Sequence, residues 1–133
     1  MIPFNESFNE DFLQFVWKFQ LLDKSNLFTH LDEKIEIVHP GTHNENESGP
    51  DFINAKIKIG DTLWAGNVEI HKSIQDWKAH KHQHDKAYNN LILHVVYAEP
   101  PLPIITESGI EVPTIVIKRK DFSANFGKIS AHA

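Results

Sequence analysis

The chain has 133 residues, 41% hydrophobic and 23% charged, the profile of one soluble globular domain large enough for a real core. It has no cysteine, which excludes disulfides and thiolate metal sites. The net charge of −5 and the single arginine, Arg119, exclude a dedicated basic nucleic-acid scaffold, though not an enzyme that touches a few phosphates.

The charge is uneven. Residues 1–51 hold ten acids and three bases, whereas residues 52–133 hold eight acids and ten bases. No run approaches the ~20 apolar residues of a membrane span. Met1 to Glu6 lacks the basic and apolar regions of a signal peptide, so no membrane association and a cytoplasmic location are expected.

Residues 7–23 read as a helix. Ser7 with Glu10 has the spacing of a capping box. Phe8, Phe12, Phe15, Phe19 and Leu22 follow helical spacing, and Leu13, Val16 and Trp17 widen the stripe, which is read as core. Lys34 to His39 alternates as a first strand. The polar stretch 40–50 is a loop full of turn formers, long for a plain connector.

A hairpin follows over 51–60 and 62–71, turning at Ile59-Gly60-Asp61-Thr62, where glycine supplies positive φ. That register sets Ile57 opposite Trp64, Lys56 beside Ala65 and Phe52 opposite Glu69. The hairpin brings Asp51, at the mouth of its first strand, towards Glu69 and His71 at the end of its second. Strict alternation places Asn54, Lys56, Asn67, Glu69 and His71 on one face and Asp51 on the other. Either Pro50 holds Asp51 outside regular pairing or a bulge corrects the parity. Two carboxylates and an imidazole at one sheet edge suit a hard divalent cation.

Ser73, with Asp76 three residues on, opens a second helix over 73–89 that carries His80, His82, His84, Asp85 and Tyr88. Leu91 to Tyr97 is almost continuously apolar, as in a strand buried on both faces, with His94 as a hydrogen-bonded core histidine. Val112 to Ile117 is a further strand, and Pro113 assigns it to an edge or a bulge. Trp64 and Trp77 read as packing residues. Lys118-Arg119-Lys120 is a short basic cluster, and the tail beyond Asp121 is weakly patterned.

The order helix, three strands, helix, strand, with Pro50-Asp51 opening the second strand and Glu69-Ile70-His71 ending the third, resembles the core of the PD-(D/E)XK nuclease superfamily. The resemblance implies an α+β, restriction-endonuclease-like fold: a central mixed sheet flanked by helices, in one domain spanning 1–133. It also implies Asp51 and Glu69 as ligands of Mg²⁺ or Mn²⁺, and cleavage of phosphodiester bonds in DNA or RNA. His71 stands at the place of the motif lysine, and an imidazole there can serve as acid or base. Lys56, on the Glu69 face, is a candidate migrated lysine. His84 and Tyr88 have the spacing of the Gln-x-x-x-Tyr of RecB-like nucleases, which assigns them, with Asn67, to substrate binding. Glu6, Glu10 or Asp11 would supply an additional acid.

A second resemblance is closer and covers most of residues 8–99. Gly49-Pro50-Asp51-Phe52, Trp64 through His71, Asp76-Trp77, His80, Tyr88 and Leu93 through Tyr97 are similar to a bacterial family of unknown function. That family assigns no activity, and its longer chains imply that this sequence is an N-terminal portion.

Two other readings stay open. One is a catalytically inactive module with the nuclease fold that binds nucleic acid or a protein partner. The weaker one is a zinc protein built on His80 and His84, one helical turn apart, with His71 or Asp85 nearby. The oligomeric state is open, with a homodimer as one option.

Overall fold

The computed structural model describes residues 9–46, 48–73, 75, 77, 80, 82–98 and 103–123. One mixed sheet dominates. Its strands are β1 (Ile35–His39), β2 (Thr42–His43), β3 (Phe52–Ile59), β4 (Thr62–His71), β5 (Leu91–Tyr97) and β6 (Thr114–Ile117). The order is β1-β3-β4-β5-β6, with β2 also pairing with β3. β1, β2 and β4 run antiparallel to β3, whereas β4, β5 and β6 are mutually parallel. The architecture is α+β with the weight on the sheet, because helix α1 (Glu10–Lys18) is the one α-helix with a bounded span among the described residues.

The hairpin turn forms as expected. Gly60 has φ 59° and Ile59 pairs with Thr62. The register holds through Ile57–Trp64 and Lys56–Ala65 to Ala55–Gly66. It then shifts: Phe52 pairs with Val68, not with Glu69. The extra residue on β3 includes Asn54, held at φ 60° while its backbone N–H donates to Asn67 Oδ1 at 3.2 Å. This bulge corrects the parity and swings Asp51 to the Glu69 end of β4.

Helix α1 is shorter than expected. Asn9 caps it, its side chain accepting from Phe12 N, and Ser7 lies outside the described residues. The face turned to the core is Leu13, Val16 and Trp17, while Phe15 and Phe19 stand about half exposed. Trp17 also donates its indole N–H to the Pro40 carbonyl at 2.9 Å, which ties the helix to the β1–β2 connection. Leu13, Val16 and Trp17 pack over Phe52, Ala55, Ile57, Val68 and Ile70. A fully buried aliphatic or aromatic side chain of this kind contributes ~1.5–3 kcal/mol.

The second helix is not continuous. Gln75 and Trp77 are helical, and Ser73 Oγ accepts from Gln75 N at 3.2 Å. His82–His84 and Lys86–Tyr88 are separate 3₁₀ turns, the latter capped by Asp85. Asp76 lies outside the described residues. Here Trp77, Tyr88, Leu91, Val96, Ile104 and Val112 form a second, smaller apolar cluster. Trp77 is buried as expected, but Trp64, near the start of β4, is half exposed rather than packed. All seven residues of β5 are buried, in agreement with its apolar pattern. β6 is an edge strand, and Pro113 immediately precedes it. No helix among the described residues is long and apolar enough to cross a membrane.

Candidate functional site

The site lies where the bulge of β3 meets the end of β4. The Asp51 backbone N–H donates to Glu69 Oε1 at 3.1 Å, and Ile70 N donates to Asp51 Oδ2 at 2.8 Å. The two acids are therefore interlocked through side chain and backbone. From α1, Gln14 Nε2 donates to Asp51 Oδ1 at 3.1 Å, while Gln14 Oε1 lies 3.0 Å from His43 Nε2. Glu10, one of the three acids considered above, is near enough for its charge to bear on Asp51. One of its carboxylate oxygens accepts from Lys72 N at 3.2 Å.

On the other side of Glu69 stand imidazoles. Glu69 Oε2 lies 3.1 Å from His71 Nε2 and 3.1 Å from His82 Nε2. His71 Nδ1 is 2.9 Å from Nε2 of His94, which is fully buried and whose Nδ1 has no partner. The His82 ring stacks on Tyr88 with centroids 4.0 Å apart and meets the edge of Trp77 at 5.3 Å. Tyr88 Oη donates to the Gly49 carbonyl at 3.1 Å, which closes the cluster against the loop before Asp51.

The electrostatics follow from burial and proximity. Burial, and then the charge of Glu69, pushes the Asp51 carboxyl well above its ordinary value. Burial also raises Glu69, but hydrogen bonds from His71 and His82, and then their charges, outweigh it and hold that carboxyl low. Burial pulls His94 down to about 3, so it stays neutral. Burial, then the charges of Glu69 and Asp51, pushes the Tyr88 phenol up, so it stays a hydrogen-bond donor.

Asp51, Glu69, His71 and Tyr88 are thus brought together. Lys56 is not. It pairs with His39 and Ala65, four residues along β4 from Glu69, a separation of ~13 Å at the usual rise of a strand. Lys56 and Asn67 line a shallow hollow of about 600 Å³ with Ile53, Asn54 and Asn90, and Asn67 is occupied in holding the bulge. His84 is exposed and lies outside the cluster, because two 3₁₀ turns replace the α-helix that would have set it on the Tyr88 face. His82 takes that place. Sequence reasoning missed His82 and Gln14 as site residues and placed His94 in the core without its contact to His71. The available signal was the density of histidines between His80 and His84.

A family model described as "Protein of unknown function (DUF2851)" matches residues 10–131. The chain belongs to this family. No curated protein and no solved structure matches it. The matched span includes both the Asp51 loop and the histidine cluster.

The donor set bears on which ion the acids suit. Two buried carboxylates side by side, one driven to hold a proton, form a pair that a divalent cation would relieve. Mg²⁺ takes oxygen donors in a near-ideal octahedron. Glu69 is instead flanked by two imidazole nitrogens. Paired carboxylates are donors that a divalent cation accepts.

Proposed function

We propose that this chain is a metal-dependent, nuclease-like hydrolase of phosphodiester bonds in DNA or RNA, with the core of the PD-(D/E)XK superfamily. The observation that carries this reading is the interlock of Asp51 and Glu69. The Asp51 N–H donates to one carboxylate oxygen of Glu69, and the N–H following Glu69 donates to Asp51. The order of elements supports it: a helix, antiparallel strands carrying the two acids, a crossover, and a parallel strand beside β4.

Asp51 and Glu69 would hold Mn²⁺ or Mg²⁺, which supplies a Lewis acid and an activated water. His71 stands in the place of the motif lysine. Its Nε2 holds or accepts a proton 3.1 Å from Glu69, and its Nδ1 is backed by His94, so the ring is fixed from both sides. The rings of Trp77 and Tyr88 cover His82, and Trp77 also lies against His94. The exposed Lys118, Arg119 and Lys120 offer cationic contacts for a phosphate backbone.

The test is cleavage of single- and double-stranded DNA and RNA with Mn²⁺ or Mg²⁺. Wild type is expected to cleave, and Asp51→Asn and Glu69→Gln to lose at least ~100-fold while keeping the wild-type circular dichroism spectrum. Folded variants that cleave as fast as wild type would sink the reading. A wild-type chain that binds nucleic acid without cleaving it would replace the hydrolase with an inactive binding module of the same fold.

A further inference from the structure

We infer that His71, His80 and His82 form a site for one transition-metal ion of the zinc class, beside Glu69. One potential ligand nitrogen from each of the three imidazoles lies within 4.8 Å of the other two. Their ring centres form a near-equilateral triangle, with sides of 5.8 Å (His71–His80), 5.4 Å (His71–His82) and 5.3 Å (His80–His82). A tetrahedral ion with metal–nitrogen bonds of about 2.0–2.1 Å sets its imidazole centres about 5 Å apart. The ring centres match that spacing, and the ligand nitrogens, within 4.8 Å of one another, would draw inward onto an ion.

Glu69 adjoins two of the three imidazoles. Its Oε2 lies 3.1 Å from Nε2 of both His71 and His82. Ligand atoms around a tetrahedral ion at these bond lengths are about 3.3 Å apart. An ion held by these nitrogens would replace the contacts that Nε2 of His71 and His82 make with the Glu69 carboxylate.

The supporting shell is also present. The other ring nitrogen of His71 is engaged by His94 at 2.9 Å, the contact that fixes the orientation of a ligating imidazole. His82 is clamped by Tyr88 and Trp77. His71, His82 and Glu69 are buried, whereas His80 is exposed, so the ion has an entry side and a ligand that can receive it there. Three imidazole nitrogens select zinc, cobalt or nickel over magnesium. The spacing expected from sequence, His80 with His84, is replaced by His80 with His82 and His71.

This inference goes beyond the hydrolytic reading: an ion on His71 Nε2 takes the nitrogen which that reading gives to proton transfer, and the site stands even if the chain cleaves nothing, because it rests on imidazole geometry. Its test is calorimetric titration of the chelator-stripped full chain with Zn²⁺, Co²⁺ and Mg²⁺. One equivalent of Zn²⁺ or Co²⁺ is expected, with the intense visible absorption of tetrahedral Co²⁺, and Mg²⁺ at the same concentration should not displace it. His80→Ala, an exposed change that spares folding, should weaken Zn²⁺ binding at least about tenfold. His82→Ala should do the same, and His84→Ala should leave the affinity within about twofold. The absence of stoichiometric Zn²⁺ binding, or equal binding by His80→Ala and wild type, overturns the inference. Stoichiometric zinc without nucleic-acid cleavage would leave this site standing and remove the hydrolase. Cleavage driven by Mg²⁺ without stoichiometric zinc would do the reverse.

Discussion

The two faces of β4 divide the molecule. Val68 and Ile70 point into the apolar layer beneath α1, among Leu13, Val16, Trp17, Phe52 and Ile57. Glu69 and His71, alternating with them, enter a layer where His82, His94, Trp77 and Tyr88 gather. All four residues are buried. One face is built as a folding core. The other spends burial on polar groups, each costly to bury without a partner, and satisfies most of them with one another. A fold gains little stability from such a layer, whereas a site for chemistry needs it. The difference marks the side of a single strand on which the candidate site lies.

The first way to break this comparison is to mutate the apolar face. Ile70→Ala should lose ~2–5 kcal/mol in denaturant unfolding, because the side chain is fully buried and its removal leaves a cavity. Trp17→Ala should lose ~3–5 kcal/mol, and the Pro40 carbonyl loses its donor as well. Both variants, measured where they remain folded, should bind Zn²⁺ as wild type does. Loss of metal affinity in folded Ile70→Ala would show that the two faces are coupled through the strand.

The second distinguishes the faces by pH, in the chelator-treated chain. Among the described residues, the buried apolar layer contains no aspartate, glutamate or histidine, whereas the polar layer contains several. The folded Asp51–Glu69 pair keeps a proton up to about pH 8, which an unfolded aspartate releases near 3.8. The folded state then binds more protons than the unfolded one, so this contribution is full below about pH 4 and is lost as pH rises to about 8. His94 has the opposite sign. Its folded value of about 3 lies below the ordinary 6.5, so its contribution is full above 6.5 and is lost as pH falls towards 3. Between about pH 6.5 and 8 the His94 contribution is complete and the Asp51 contribution is still falling. Wild-type stability should therefore fall across that window relative to Asp51→Asn. Parallel curves for the two proteins would show that Asp51 carries no retained proton.

Much of the framework is legible in the sequence because it rests on local rules. Gly60 demands a turn, and the unbroken apolar run from Leu91 to Tyr97 demands a strand covered on both faces. The meeting of Asp51 and Glu69 depends on Asn54 taking a left-handed conformation, which asparagine tolerates but does not announce. The cluster around His71 depends on His82–His84 winding as a 3₁₀ turn. An α-helical reading sends His80 and His84 to one face, while the observed turn sends His82 to Glu69. Gly66 shows the same limit. A Cβ there would lie 2.6 Å from the Asn90 carbonyl and closer still to Ile92, yet this close approach of β4 and β5 is long-range and leaves no local pattern.

The smallest expected effect sharpens the boundary of the apolar face. The helical stripe includes Phe15 and Phe19, and a core reading of Phe19→Ala would cost ~3–5 kcal/mol. In the structure both rings are about half exposed, with centroids 4.9 Å apart, and Lys18 Nζ lies 5.4 Å from the Phe19 ring centre. Losing one exposed aromatic pair and one exposed cation–π contact should cost about 1 kcal/mol. Denaturant unfolding of Phe19→Ala beside Val16→Ala separates the two accounts, since Val16 is fully buried one turn away. A loss above about 3 kcal/mol at Phe19 would mean that this side of α1 is covered in solution, which would extend the apolar face beyond the sheet.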